Sequence, residues 1–199
     1  SLLSAQTTLE GPFYKGAWIL SGRRTYFDII LPKVLPENIA SNIPPYFFYD
    51  VQSHIFSDIT TKDRLSLSYY TGIDDIFFDT FGLDGRWGNN TISGHWRRVF
   101  SERLVGNFLI ANSNFRTMFG LGGDGGLVND NIIDDQTISG DFSWFKSSDA
   151  TLKFGLQHKV LGFEYFSKFQ DSVAFKIKNA PVEVGAYLKM KYKYNEILI

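Results

Sequence analysis

Four groups of residues in this sequence have types that chemistry uses. Ser93 and His95 stand two apart, a hydroxyl and an imidazole that could serve as nucleophile and base. On a strand they share a face, as a barrel lipase could use, but no strained nucleophile turn surrounds the serine. His54, His95 and His158 could be zinc ligands, yet they fall on separate expected strands without paired-ligand spacing, which favours structural histidines. Asp124, Asp130, Asp134 and Asp135 could offer oxygens to Ca²⁺, although a solvated acidic loop accounts for them more simply. Gly120 to Gly125 fits G-x-G-x-x-G, but no βαβ unit surrounds it and no Lys follows at P-loop spacing, so it reads as a flexible loop. The expectation is therefore no catalytic residue, no metal, no cofactor and no enzyme.

A second set of side chains is suited to holding a ligand without reacting with it: Arg23, Arg24, Asp84, Trp87, Asn89, His95 and Arg97. Arg23, Arg24 and Arg97 come after the apolar halves of their strands or on a polar face. They read as solvated charge or, on a sharper reading, as contacts to a ligand or to lipopolysaccharide.

The bulk properties say what must position such residues. Nineteen Phe, 10 Tyr and 4 Trp against 2 Met favour strands over helices. The net charge of −1 over 199 residues gives no clustered basic surface for nucleic acid. The length suffices for one domain. With no Cys there are no disulfides and no thiolate metal sites. No run of about 18 apolar residues offers a transmembrane helix. Residue 1 is Ser, and the chain is expected to begin at a cut end.

Period-two alternation bounded by turn residues predicts nine strands, at 2–10, 17–30, 46–59, 64–76, 89–100, 103–118, 136–145, 151–165 and 182–194. Residues 31–45 carry four of the six Pro and read as a loop, with one helical turn at 37–42. Tight turns are expected at 11–16, 60–63, 101–102 and 146–150, and a last turn opens at Asn195. Loops of about ten residues or more are expected at 31–45, 77–88, 119–135 and 166–181. An antiparallel up-and-down order puts the tight turns, with Gly11 to Gly16 as the first, at one end. The loops around Pro36, Gly82, Gly123 and Lys176 fall at the other. Such one-sided loops are the habit of outer-membrane barrels.

The faces are as regular as the connections. Leu65, Leu67, Ile92, Trp96, Ile138, Phe142, Leu152, Phe154, Leu188 and Met190 are expected on one face. Ser66, Ser68, Ser93, Arg97, Ser139, Asp141, Lys153, Gln157, Glu183 and Lys189 are expected on the other. A soluble sheet shows the same alternation, so this pattern alone leaves open which face meets lipid and which meets water.

At Gly11-Pro12-Phe13-x-Lys15-x-Ala17-Trp18-x-x-Ser21-Gly22-Arg23-Arg24-Thr25-Tyr26 the sequence resembles an early barrel hairpin of TonB-dependent outer-membrane receptors, nearest the SusC-like type of Bacteroidetes. Tyr49-Asp50-Val51-Gln52 with Asp63 to Tyr70, Trp87 to Trp96, and Ala180 to Leu188 fit the same register, so the resemblance covers nearly the whole chain. It implies TonB-powered uptake of a scarce ligand (siderophore, glycan or peptide) through a plugged barrel of the Gram-negative outer membrane. The implied partners are the bilayer, a plug domain, TonB and a small ligand, with no nucleic acid. The three Arg would then be lumen or rim charge against the plug. Nine strands, no plug or TonB box before Leu9, and Ile199 where such barrels end on an aromatic residue make residues 1–199 an expected interior piece of a longer barrel. The other function class left open is a soluble carbohydrate-binding β-sandwich that uses exposed aromatics such as Trp87.

Overall fold

The structure, a computed structural model, describes residues 4–40, 43–78, 82–123, 125–170, 172–194 and 197–198. Ser1, Leu2, Asp124, Asn195 and Ile199, named above, lie outside these. The strands are β1 (Ser4–Phe13), β2 (Gly16–Thr25), β3 (Tyr46–Asp58), β4 (Asp63–Phe78), β5 (Leu83–Ser101), β6 (Leu104–Leu121), β7 (Leu127–Phe145), β8 (Ala150–Phe169), β9 (Ser172–Asn179), β10 (Val182–Tyr194) and β11 (Ile197–Leu198). Two helices, α1 (Phe27–Val34) and α2 (Glu37–Ala40), lie between β2 and β3. The strands form one antiparallel sheet in sequence order from β1 to β8 and on to β10, with β9 also on β8. This is the expected all-β up-and-down meander. It is open: among the described residues β1 pairs only with β2.

β9 and β10 are two parts of one antiparallel strand. Asn179 faces Phe163 and Val182 faces Val160, so both run in the same register along β8. Pro181 between them has no N–H to donate, but its carbonyl still accepts from Leu161 N at 2.9 Å. The tight turns lie at one end of the sheet, called the lower end here. The turn after β3 is held by Thr60, whose Oγ1 donates to Asp63 Oδ2 at 2.6 Å and accepts from Asp63 N at 3.0 Å.

Several expected boundaries move. The first reversal is at Tyr14–Lys15, because β1 runs on through Gly11 and Pro12. As an edge strand β1 can carry a proline that donates nothing. Tyr14 takes φ 52° at the turn, and a Cβ on Gly16 would stand 1.8 Å from Phe56 O, so only glycine fits there. The second strand stops at Thr25, not Ile30, since Phe27, Ile30, Leu31 and Val34 have the i, i+3, i+4 spacing of a helix. Asp28 in its first turn suits the helix dipole and pairs with Arg24 at 2.8 Å. Three of the four long loops shrink to short tips, because β4 to β9 continue through residues expected to be loop.

A sandwich would lay a second sheet on one face, and none of the described strands does so. Among the described residues Ala150 is the single buried hydrophobic side chain, and no large side chain is fully buried. Ile110 and Ile138 at mid-strand are 62% and 58% exposed. The sheet is a wall one layer thick.

Candidate functional site

Cross-strand pairing sorts every side chain onto one face or the other. Leu65 pairs with Trp96, Trp96 with Phe108, Ile110 with Ile138, Phe142 with Phe154, Phe154 with Leu188, and Leu152 with Met190. All ten residues expected on the apolar face share it, and all ten expected on the polar face share the opposite one.

The apolar face is a belt of limited height. On β8 it holds Leu152, Phe154, Leu156, His158 and Val160, and on β10 Val182, Val184, Ala186, Leu188, Met190 and Tyr192. The run spans nine residues on β8 and 11 on β10. At a rise of about 3.3 Å and a tilt of about 45° that is roughly 21 to 25 Å of height. At the lower rim an aromatic row crosses four strands: Trp96–Phe108 at 5.0 Å, Phe108–Phe142 at 5.5 Å and Phe142–Phe154 at 5.1 Å between ring centroids. Phe108 lies against Gly106 and Gly140, which leave it room. Below the row, Asp63 accepts from Trp96 Nε1 at 3.0 Å and from Arg98 at 3.1 Å.

Above the belt the same face carries ion pairs, set among apolar side chains such as Ile73, Met118 and Ile132. Arg86 pairs with Asp75 at 2.5 Å, Arg116 with Asp130, and Lys176 and Lys178 with Glu164 at 2.9 and 3.1 Å. Those two lysines hold the Glu164 carboxyl below the ordinary glutamate range, by hydrogen bonds first and charge second. Between Arg98 at the lower rim and these upper pairs, Asp134 is the one Asp, Glu, Lys or Arg side chain that the described residues put on this face, and it accepts from Asn114 at 2.6 Å.

The opposite face mixes polar side chains with apolar ones such as Leu109, Phe115, Ile133 and Phe163, and its polar rows carry the candidate site. One row crosses seven strands as Thr8, Ser21, Gln52, Tyr70, Thr91, Ser113 and Asp135. Thr8 and Ser21 hydroxyls are 2.9 Å apart, Thr91 and Ser113 3.0 Å, and Asp135 accepts from Thr137 at 2.7 Å and pairs with Lys159 at 2.7 Å. One row lower His54 Nδ1 is 2.8 Å from Ser68 Oγ. A groove of about 350 Å³ lies between Gln52, His54, Ser68, Tyr70, Thr91 and Ser93. Ile19 and Tyr69 line it too, so it sets hydrogen-bonding groups beside apolar surface, a mixture that suits a ligand of both characters.

Of the residues singled out in the sequence, Arg23, Trp87, Asn89, His95 and Arg97 lie on this polar face. Arg23 pairs with Asp50 at 2.6 Å and lies 4.7 Å from the Phe48 ring. Asn89 accepts from Ser113 at 3.2 Å. Trp87 is half-exposed near the upper end; His95 and Arg97 are exposed near the lower end. Arg24 and Asp84 lie in strands on the other face, Arg24 over the Phe47 ring at 5.3 Å. The seven do not converge on one point. The acidic group disperses too: Asp130 takes Arg116, Asp134 takes Asn114 at 2.6 Å, and Asp135 faces the other side with Lys159.

Sequence reasoning missed a cavity of about 660 Å³ under the helices, lined by Phe27, Leu31, Leu35, Ile43, Phe77 and Asp28. The helical spacing of residues 27–34 was its available signal. Nearby, Tyr46 donates to Asp74 at 2.6 Å, and burial, the hydrogen bond and the carboxylate charge together push its hydroxyl up to about 12.

No protein-family model matches the sequence, and no curated protein matches it. Among solved structures the fold is similar to the ferric yersiniabactin uptake receptor FyuA from Yersinia pestis, with a TM-score of 0.57 and 11% identity. The match covers 97% of this chain and 35% of that receptor, so this chain spans about a third of that receptor's length.

Proposed function

We propose that this chain is a segment of the barrel wall of a TonB-dependent outer-membrane receptor. The apolar belt carries this reading: a single-layer face is apolar for nearly the height of a bilayer core and takes up ion pairs above it on the same strands. A partner sheet in water would call for apolar cover along the whole strand, whereas lipid calls for it only over the hydrocarbon. The apolar face then meets lipid, the lower turns face the periplasm, and the helices and strand tips lie outside the cell. The polar face lines a lumen and contacts a plug. Arg23, Trp87, Asn89, His95 and Arg97 are lumen groups of this wall, and Arg24 and Asp84 belong to its outer rim. The role is binding and passage of a scarce ligand, with siderophore, glycan and peptide as the classes to test, and the SusC-like type is the form the early hairpin suggests.

Expression of the full-length protein in a Gram-negative host tests the reading. The expected result is a detergent-extracted, outer-membrane protein whose ligand uptake is lost in cells without TonB. Recovery as a water-soluble protein would refute it.

A further inference from the structure

The lower three rows of the polar face have an uneven charge balance. They hold Arg64, Arg97, Lys153, Lys189 and Lys191 against two acids, Asp58 and Asp141. Register puts Arg97 directly opposite Arg64 and Lys189 directly opposite Lys153. Like charges in that position destabilise an antiparallel pair. Both acids are engaged: Asp58 accepts from Arg64 at 2.7 and 2.8 Å, and Asp141 accepts from Tyr187 Oη at 2.6 Å. Among the described residues Arg97, Lys153, Lys189 and Lys191 make no ion pair. Elsewhere the chain supplies its own counter-ions, as for Arg23, Arg86, Arg116 and Lys159.

We propose that this strip docks an acidic peptide segment, seated against the lower end of the polar face and bearing carboxylates for both clusters. The inference rests on the reading of this face as the lumen side. Arg97 on β5 and Lys153 on β8 are three strands apart, about 14 Å at about 4.8 Å per strand. An extended segment rising about 3.3 Å per residue covers that with about five residues, so two acidic side chains at that spacing reach both clusters. Asn107 and Ser143 between them offer hydrogen bonds to such a segment. A single small anion would meet one cluster only. A lipid headgroup belongs to the opposite face, where the aromatic row lies at the same height.

The test is zero-length carbodiimide cross-linking of the full-length protein in detergent, with the linked peptides read by mass spectrometry. Lys153 or Lys189 is expected to join an Asp or Glu from outside residues 1–199. Arg97→Gln, which removes no cross-linkable amine, is expected to lower the Lys153 product several-fold. Links from these lysines only to Asp141, Glu183 or other carboxylates of residues 1–199, or no links at all, would overturn the proposal. So would an unchanged yield in the Arg97→Gln protein. The barrel reading stands or falls separately, on membrane fractionation of the unaltered protein.

Discussion

Ile138→Arg and Ser139→Arg are adjacent substitutions of the same size and charge on opposite faces of β7. Ile138 is 58% exposed in the structure, so the new side chain meets no protein clash. Its flanking neighbours are Ile110 and His158 on the apolar face, while those of Ser139 are Leu109 and Gln157 on the polar face. In water both changes would stay within about 0.5 kcal/mol, as surface substitutions do. If the Ile138 face meets hydrocarbon near the middle of a bilayer, an arginine there costs about 2–4 kcal/mol. At about 1.4 kcal/mol per tenfold, the folding equilibrium falls by a factor of roughly 30 to 700. Refolding of the full-length protein into phospholipid vesicles along a urea series reads this as a shift of the midpoint. The expected order is unaltered protein, then Ser139→Arg close behind it, then Ile138→Arg well below. Equal midpoints for the two variants would refute lipid contact at this face, and a larger loss for Ser139→Arg would reverse the faces.

Three further outcomes follow from particular contacts. Arg116→Ala leaves Asp130, 2% exposed, without its partner, and should cost about 1–3 kcal/mol by chemical denaturation; this is less than for a fully buried pair because the arginine itself is exposed. Gly155→Val should lower the thermal midpoint, because its Cβ would lie 2.3 Å from Asp141 Oδ1 and 2.6 Å from the Tyr187 ring, and overpacking of this kind costs about 1–3 kcal/mol. Glu164, with its carboxyl pKa lowered in the folded state, stabilises the β8–β9 pairing above the ordinary glutamate range of about 4.3, and that contribution goes as pH falls through the lower folded value. Amide exchange at residues 172–179 should therefore accelerate as pH drops below about 4, after correction for intrinsic rates, and Glu164→Gln should remove that extra dependence.

The fold class was legible in the sequence because one face of the lower sheet is apolar, and period two is visible only where the two faces differ. Residues 64–76 alternate Leu, Leu and Tyr with Ser, Ser and Tyr, and their strand is found close to its true start. Residues 127–135 read Leu-Val-Asn-Asp-Asn-Ile-Ile-Asp-Asp, polar toward both faces, so nothing in their pattern separates a solvated strand from a loop. Residues 172–179 did carry a signal, since Val173, Phe175 and Ile177 alternate with Ala174, Lys176 and Lys178. The preceding glycine- and proline-poor stretch gave no boundary to set it off. The candidate site was legible only by face. Register brings Arg23, Trp87, Asn89, His95 and Arg97 to one side, but Arg24 and Asp84 differ from their neighbours by a single residue of alternation and fall on the other.

The position of those boundaries bears on where a ligand could be held. A membrane strand needs about 9–11 residues, and β5 to β8 have 18 to 20. The surplus is hydrogen-bonded wall above the belt, stiffened by cross-strand ion pairs on one face and by the hydroxyl and amide rows on the other. Two neighbouring tips are tied together, Gly122 N donating to Gly82 O at 3.0 Å, and Gln170 N donates to Gly125 O at 3.0 Å to join the next. Among the described strands the one long connection is that between β2 and β3, which holds α1 and α2. If the proposed receptor role holds, the ligand contacts of this segment come from groups held at fixed spacing on the polar face, with the helices beside them. Substitutions at Trp87 or Asn89 should consequently change affinity without changing the fold, while deletion of residues 27–40 should change the rates of ligand entry and release.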